Sequence, residues 1–350
     1  MSLALARPRM VLPRADYPQQ SADGILVLQR GENASTDYYL RPRLNPAATP
    51  VEIADLADDP AASRLLGNES AKALTVVFCR YAAPAWLGAL ERAKGRLARV
   101  VFFMDDDLPA VMRATEIPAA VRGKVALHFA AHAERLSALC SELWLSTPVL
   151  AARYAEGRPR LLTPLPEAEP PLPASAATDL VIYHGTDVHE RERTFVLDVA
   201  RAVAARSPGV RFEIVGEASL TRRAAGIPGV AVVPQLPWPD YLKAQSGRSA
   251  ALSLAPVFPS ALNDARAPVK VFDAARLGAA GLYADAPAYR GHVRHGEDGL
   301  LLPMEPLAWS EAIVALLADP GRRQRLASAA RERLVGMLRT DVGLPSAPAE

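Results

Sequence analysis

The segment NDARAPVKVFDAARLGAAGLYAD, residues 263–285, gathers Asn263, Arg266, Lys270 and Asp273 within eleven positions and then turns apolar. Pro268 suits the first turn of a helix, because its missing N–H would have no partner there. The unpaired N–H groups of such a turn attract anions, and Lys270 adds a full positive charge. Asp273 follows three residues later and shares a helical face with Lys270. This pattern suits a diphosphate near Lys270 and ribose hydroxyls near Asp273, with Arg266 and Asn263 reaching the same ligand from the loop. Taken alone, the segment is explained as well by a solvated helix end with an i,i+3 ion pair.

Other residues carry chemistry at strand ends. Gly185 and Thr186 follow the apolar run DLVIYHG and offer a backbone N–H and a hydroxyl to a diphosphate oxygen. Gly216 ends FEIVG, where a missing side chain lets a base or ribose approach closely; a tight turn would need the same glycine. PQLPWPDYL (234–242) offers backbone groups to a base, with Trp238 as neighbour or core filler. Asp105, Asp106 and Asp107 end the run RVVFFMD. Adjacent carboxylates suggest Mg²⁺ or Mn²⁺, or, with Asp106 at an acceptor, a hydroxyl binder or base. Solvated loop acids explain them too. His128 and His132 have zinc-compatible spacing but lack a third ligand. His184 and His189 lie near the expected phosphate region, and Tyr38, Tyr39 and Arg41 follow the first strand, where an acceptor could be touched.

The elements that must position these groups come in alternation. Strands are expected at 24–29, 50–56, 73–80, 99–105 and 141–146, with helices at 36–44 (capped by Ser35), 84–95, 118–140 and 147–155. After a run with six prolines in sixteen residues, 163–178, the alternation restarts. Strands are expected at 179–185, 210–217, 230–236, 250–256, 279–285 and 298–303, and helices at 190–206, 238–246, 267–277, 306–318 and 320–338. Such alternation implies two α/β halves, each a doubly wound, Rossmann-like parallel sheet. Ligands of such sheets sit at the carboxyl ends of the strands, so a cleft between two facing halves is the expected site. The organisation reads as a flexible arm (1–22), a first domain (23–162), a Pro-rich linker (163–178), a second domain (179–338) and a disordered tail (339–350).

Composition narrows the class. Half of the 350 residues are hydrophobic and the net charge is +2, which argues against a nucleic-acid partner. Two cysteines, Cys79 and Cys140, form neither a metal motif nor a disulfide framework. No apolar run is long enough for a membrane span or a secretory leader, so a cytoplasmic location is expected; peripheral membrane contact is compatible with the sequence.

From about 180 to 335 the order of motifs resembles the nucleotide-binding half of a GT-B glycosyltransferase of family 4. FDAARLG places Asp273, Ala274, Ala275 and Gly278 at the spacing of that family's acid-bearing helix. HGEDGLLLP matches its Gly-x-x-Gly-Leu-Leu turn, and IYHGTDVHERERTFVLDVARAV and SPGVRFEIVGEA resemble its first two strands. The family's first acid falls on Ala265, and its usual Arg and Lys after the first strand give way to GTDVHER. An Asn–Arg–Lys–acid branch of these enzymes fits better.

The resemblance implies transfer of a sugar from a nucleotide-diphospho-sugar to a saccharide or lipid-linked acceptor, with retention, in bacterial polysaccharide synthesis. The second domain would bind the donor and the first the acceptor. Lys270, Arg266 and Asp106 are the candidates for catalysis, and Gly185, Thr186, Gly216, Asn263 and Asp273 the candidates for binding the donor. No metal or cofactor is needed if cationic side chains stabilise the leaving group. Two alternatives are a glycosyltransferase-like subunit without turnover, which Ala265 favours, and a nucleotide-sugar epimerase of the same fold.

Overall fold

A computed structural model describes residues 10–18, 21–67, 73–166, 168–173, 179–186, 188–340 and 343–345. The chain divides into two compact units. Unit 1 comprises residues 1–164, Ala265–Ala267 and the C-terminal 342–350, and unit 2 comprises 165–264 and 268–341. Both are α/β, as expected.

Unit 1 is built on six parallel strands: β1 (Gly24–Gln29), β2 (Val51–Asp55), β3 (Leu74–Cys79), β4 (Arg99–Met104), β5 (Glu142–Leu145) and β6 (Arg160–Leu161), in the order β2-β1-β3-β4-β5-β6. The central strands are largely apolar because helices cover both faces of a parallel sheet. Val76, Val77, Phe78, Val100, Val101, Phe102 and Phe103 are all fully buried.

Unit 2 repeats the plan with β7 (Leu180–Tyr183), β8 (Arg211–Val215), β9 (Val230–Val233), β10 (Leu252–Ala255), β11 (Ala280–Ala284) and β12 (Leu300–Leu302), in the order β12-β11-β10-β7-β8-β9. Its core runs from Val181 and Ile214 through Leu252 and Leu282 to Trp309, with the helices Glu190–Arg206 and Pro306–Ala318 packed against it. In each sheet the order reverses beside the first strand of the unit, the switch point at which ligands of such sheets bind.

Four expectations change. The helix expected at 36–44 is a π turn, Thr36–Leu40, followed by a 3-10 turn, Arg41–Arg43. Ser35 makes no capping bond there; Asn33 Oδ1 accepts from Thr36 N at 3.0 Å instead, and Ser35 Oγ is drawn to Asp105 Oδ2 at 2.7 Å. The helix expected at 118–140 breaks into Ala119–His128, a 3-10 turn and Ala133–Leu139. At the break, Phe129 is fully buried and stacks on Phe102 with ring centroids 5.7 Å apart, while His128 O accepts from Ala82 N outside the helix. Core packing thus overrides an unbroken helical pattern.

The expected N-terminal arm is pinned over residues 10–18: Val11 is fully buried, Leu12 N donates to Ser137 Oγ at 3.0 Å and Tyr17 Oη to Leu139 O at 2.6 Å. Residues 1–9 and 19–20 of that arm lie outside the described residues. At the other end, the last helix runs Pro320–Thr340, and Pro345 O accepts from Arg99 Nη1 at 2.9 Å, whereas 341–342 and 346–350 lie outside the described residues. Of the expected linker, Leu165 is buried, and residues 167 and 174–178 are likewise outside the described residues. Among the described residues no helix is long and apolar enough to cross a membrane.

Candidate functional site

The polar segment singled out in the sequence meets the end of β7 in unit 2. The short helix Lys270–Arg276 follows β10, which pairs with β7 in parallel register through Leu252–Val181 and Ser253–Ile182. Lys270 stands at the first position of that helix, one turn shorter at its start than the sequence suggests. Lys270 Nζ donates to the carbonyl of His184, just beyond β7, at 2.6 Å, and to Asp273 Oδ2 at 2.9 Å. Arg276 Nη1 donates to Asp273 Oδ1 at 3.2 Å. Asp273 therefore sits between two cations with only 7% of its surface exposed. The i,i+3 pair expected from spacing is present, but both carboxylate oxygens are engaged within the protein rather than presented as ribose acceptors. An ammonium has three donors, and two are accounted for here, so one N–H remains for an incoming oxygen.

Behind this pair lies a network that the sequence reading missed. His184 Nε2 is 3.0 Å from Glu213 Oε1, and His184 Nδ1 is 3.1 Å from Tyr241 Oη. Arg248 closes the far side, with Nη1 and Nη2 at 3.0 and 2.8 Å from the two Glu213 oxygens. The His184 hydrogen bond, aided by Arg248 and opposed by burial, pulls the Glu213 carboxyl down to about 2. With Glu213 ionised, Nε2 must be the donor, and a neutral ring then accepts the Tyr241 hydroxyl at Nδ1. Burial first, and then the Asp273 charge, push the Tyr241 phenol far above its ordinary range, so it stays a donor. The one available signal was Glu213 itself, a charge inside the apolar strand FEIV. Trp238 stacks on Tyr241 at 5.6 Å between centroids, and Arg276 lies 5.5 Å over the Trp238 ring, so Trp238 belongs to this cluster.

The other donor-side candidates separate. A Cβ at Gly185 would lie 2.4 Å from Tyr183 Oη, and Tyr183 is buried, so glycine is required there by local packing. Thr186 is exposed beside it, and its carbonyl accepts from His189 N. At Gly216 a Cβ would lie 2.3 Å from Leu220 Cδ2; with Leu220 buried, the glycine serves the turn into its own helix. Asn263 opens a 3-10 turn, Asn263–Ala265, and its Nδ2 donates to Phe258 O at 2.8 Å, which shapes the loop. The stretch Ala265–Ala267, which contains Arg266, groups with unit 1, where Thr147 Oγ1 donates to Ala265 O at 2.9 Å. Ala265, at the position of the absent acid, is buried.

The three aspartates of unit 1 divide: Asp107 stands apart, while Asp105 and Asp106 share Arg80. Asp107 is buried, caps the helix Leu108–Arg113 by accepting from Ala110 N at 2.8 Å, and pairs with Arg153 and Tyr154. Asp105 accepts from Ser35 Oγ and faces Arg80 Nε at 3.3 Å. Asp106 keeps a third of its side chain exposed, 3.7 Å from Arg80 Nη2. Burial, offset by Arg80 and reinforced by Asp106, raises the Asp105 pKa. Arg80 itself carries φ +70, a left-handed backbone for a non-glycine residue. That conformation recurs where surrounding contacts over-determine a functional position. Tyr39 packs on Phe103 at 5.0 Å and is buried with Tyr38, so both serve the core; Arg41 pairs with Asp37 at 2.8 Å. Among the described residues no group of three His, Cys, Asp or Glu side chains is arranged to hold a metal, and His128 and His132 remain a pair.

Residues 178–319 match the family model described as glycosyl transferases group 1. No curated protein sequence matches the chain. Among solved structures, sucrose-phosphate synthase from Thermosynechococcus elongatus superposes with a TM-score of 0.57 at 13% identity over 90% of this chain and 95% of that one. Anabaena HepE, solved with UDP and glucose, gives 0.55 at 15% identity over 89% and 95%. A complex of S. aureus TarM containing UDP gives 0.52 at 10% identity over 75% of this chain, which spans only 52% of that one. At these identities the structures show the shared fold. The order of motifs, the two six-stranded sheets and the family match agree: the second unit resembles the glycosyl transferases group 1 family over residues 178–319, in a chain of GT-B fold.

Proposed function

We propose that the chain transfers a sugar from a nucleoside-diphosphate sugar to a saccharide or lipid-linked acceptor. The observation that carries this reading is the Lys270 ammonium, fixed at the end of β7 by the His184 carbonyl and Asp273 with one N–H unassigned. Leaving of a nucleoside diphosphate builds negative charge on phosphate oxygens, and a preoriented cation lowers the energy of that charge without having to reorganise. Asp273 then acts as a positioning residue, since it holds both Lys270 and Arg276. Thr186 and the Gly185 backbone lie at the same strand end and suit the diphosphate. Asp106, the most exposed of the three unit 1 acids, suits an acceptor hydroxyl. UDP in the HepE and TarM complexes supports a uridine donor. Retention of configuration follows from the family resemblance, and no metal is assigned a step.

A thermal-shift panel of UDP, GDP, ADP and TDP on wild type and Lys270→Ala tests the donor site. A ligand near 100 times its dissociation constant adds about 2.7 kcal/mol of stability. One diphosphate should stabilise wild type and lose most of that effect in the variant; a flat panel overturns the reading. Ala265, standing where the family carries an acid, favours a second reading in which nucleotide binds without turnover. Acceptor-dependent release of nucleoside diphosphate excludes that reading, and acceptor-independent loss of the donor sugar would identify an epimerase or hydrolase.

A further inference from the structure

Lys270 Nζ has two acceptors in unit 2, the His184 carbonyl and Asp273, and both lead back to one residue. The first route runs through the main chain. His184 lies just beyond the last residues of β7 that pair with β8 and β10, and Gly185 follows it. A peptide outside the ladder and next to a glycine is not stiffened by its own backbone. The His184 ring stiffens it instead. Its side chain is 5% exposed, with Nε2 3.0 Å from Glu213 Oε1 and Nδ1 3.1 Å from Tyr241 Oη. Arg248 fixes Glu213 in turn, through both carboxylate oxygens. The ring points back into this network while the carbonyl of the same residue points forward to the ammonium.

The second route runs through side chains. Asp273 accepts from Arg276, whose Cζ lies 5.5 Å over the Trp238 ring, and Trp238 stacks on Tyr241 at 5.6 Å and 22°. Trp238 and Tyr241 are three residues apart on the helix Trp238–Gln245 and so share a face. Tyr241 meets His184 with its hydroxyl and with its ring edge-on, 5.7 Å between centroids at 85°. The contacts therefore close on themselves, from Lys270 through His184, Tyr241, Trp238, Arg276 and Asp273 back to Lys270. A lysine on its flexible stem loses much freedom when it is fixed. A closed set of contacts takes that freedom away before a ligand arrives, and a charge that need not reorganise stabilises a developing anion best. The Tyr241 hydroxyl and one ring face are committed to protein partners, which suits positioning rather than ligand contact.

We propose that Tyr241 is a positioning residue for Lys270. It acts through His184 on one side and through Trp238, Arg276 and Asp273 on the other, and so sets where the ammonium points and how tightly a diphosphate is held. The positioning stands on the contacts of unit 2 alone. That the group held is a nucleoside diphosphate rests on the glycosyl-transfer reading.

The test uses the full chain as wild type, Tyr241→Phe, Lys270→Ala and the double variant. Tyr241→Phe keeps the ring and its stack on Trp238 and removes only the hydroxyl. The chain has five lysines, so in lysine-labelled protein the Lys270 Cε signal is identified by its absence from Lys270→Ala. Its NMR order parameter, read without nucleotide, should fall in Tyr241→Phe. Trp238→Leu cuts the second route and should lower it too; no change there would remove Trp238 and Arg276 from the device. Titration with UDP, GDP, ADP and TDP gives a second readout. Tyr241→Phe should weaken the diphosphate that binds by about three- to tenfold, the effect of one lost hydrogen bond. With Lys270 already replaced, the same change should cost less than about twofold, because residues that act through one another are not additive. An unchanged order parameter in Tyr241→Phe overturns the positioning role, as does weakening that adds in full in the double variant. If no diphosphate binds wild type, or Lys270→Ala binds as wild type does, while the order parameter still falls in Tyr241→Phe, the transfer reading fails and the positioning role stands.

Discussion

In unit 2 the charges at the strand ends form a connected hydrogen-bond network: Arg248, Glu213, His184 and Tyr241 in line, with Lys270, Asp273 and Arg276 joined to it through the His184 carbonyl. In unit 1 the equivalent region holds Arg80 against Asp105 with poor geometry. Arg80 Nε and Asp105 Oδ1 are buried and make no hydrogen bond, although they lie 3.3 Å apart. Two six-stranded parallel sheets thus handle charge differently. One fixes each group with directed bonds, which suits a site that must hold a cation at a set point. The other leaves two buried polar atoms, Arg80 Nε and Asp105 Oδ1, without a hydrogen bond beside a left-handed backbone.

That contrast can be broken most directly at Arg80. Replacing it by Met strands the buried Asp105 carboxylate, and removing one partner of a buried pair costs about 3–5 kcal/mol. Denaturant unfolding should show that loss, and Arg80→Met/Asp105→Leu should recover most of it. A fall of less than about 1 kcal/mol in the single variant would mean that the pair is effectively solvated.

Lys270→Ala comes next. It should remove most of the roughly 2.7 kcal/mol that a saturating nucleoside diphosphate adds, with a smaller change in the ligand-free melting temperature. Asp273→Asn should weaken ligand binding too, because Lys270 loses its anchor. If Asp273→Asn bound nucleoside diphosphate as wild type does, Asp273 would hold no positioning role.

Glu213 gives a pH test confined to unit 2. Its folded pKa is depressed to about 2, so its contribution is present above the unfolded carboxyl range and is lost as pH falls from about 4.3 towards 2. Allowing for solvent screening of a partly exposed group, the loss should be on the order of 1–2 kcal/mol. Glu213→Gln should flatten the acid limb of the stability curve; an unchanged limb would show that His184 and Arg248 do not hold the carboxylate in solution.

The smallest effect belongs to Asn33, which caps the turn Thr36–Leu40 through Thr36 N. Asn33→Ala should cost about 1 kcal/mol and leave nucleoside-diphosphate binding in unit 2 untouched. A shift in that binding would mean that the two strand ends are coupled.

Much of the fold was legible because parallel strands leave a clear mark. ILVL, VVFC and VVFFM are unbroken apolar runs, and the helices 190–206 and 306–318 fall where their periodicity places them. Three short helices, Asp59–Leu66, Leu108–Arg113 and Ala218–Ala224, went unread because two turns are too few for a periodic signal. At the candidate site, the Lys270–Asp273 pair followed from i,i+3 spacing. Its partners did not, since His184, Glu213 and the pair Tyr241 and Arg248 come from three separate stretches of the chain.

The sequence by itself determined the two α/β halves, the order of elements and the family resemblance of the second half, because these depend on local periodicity and on motifs a few residues long. Tertiary structure decided which polar groups are engaged. It placed Asp273 between two cations, grouped Arg266 with unit 1, set Asp107 apart from Asp105 and Asp106, and brought Lys124 and His128 to the Tyr81 ring. The physical reason is range: a strand or helix is specified by neighbours along the chain, whereas an ion pair or a desolvated cation is specified by whatever the packed sheet brings within a few ångströms.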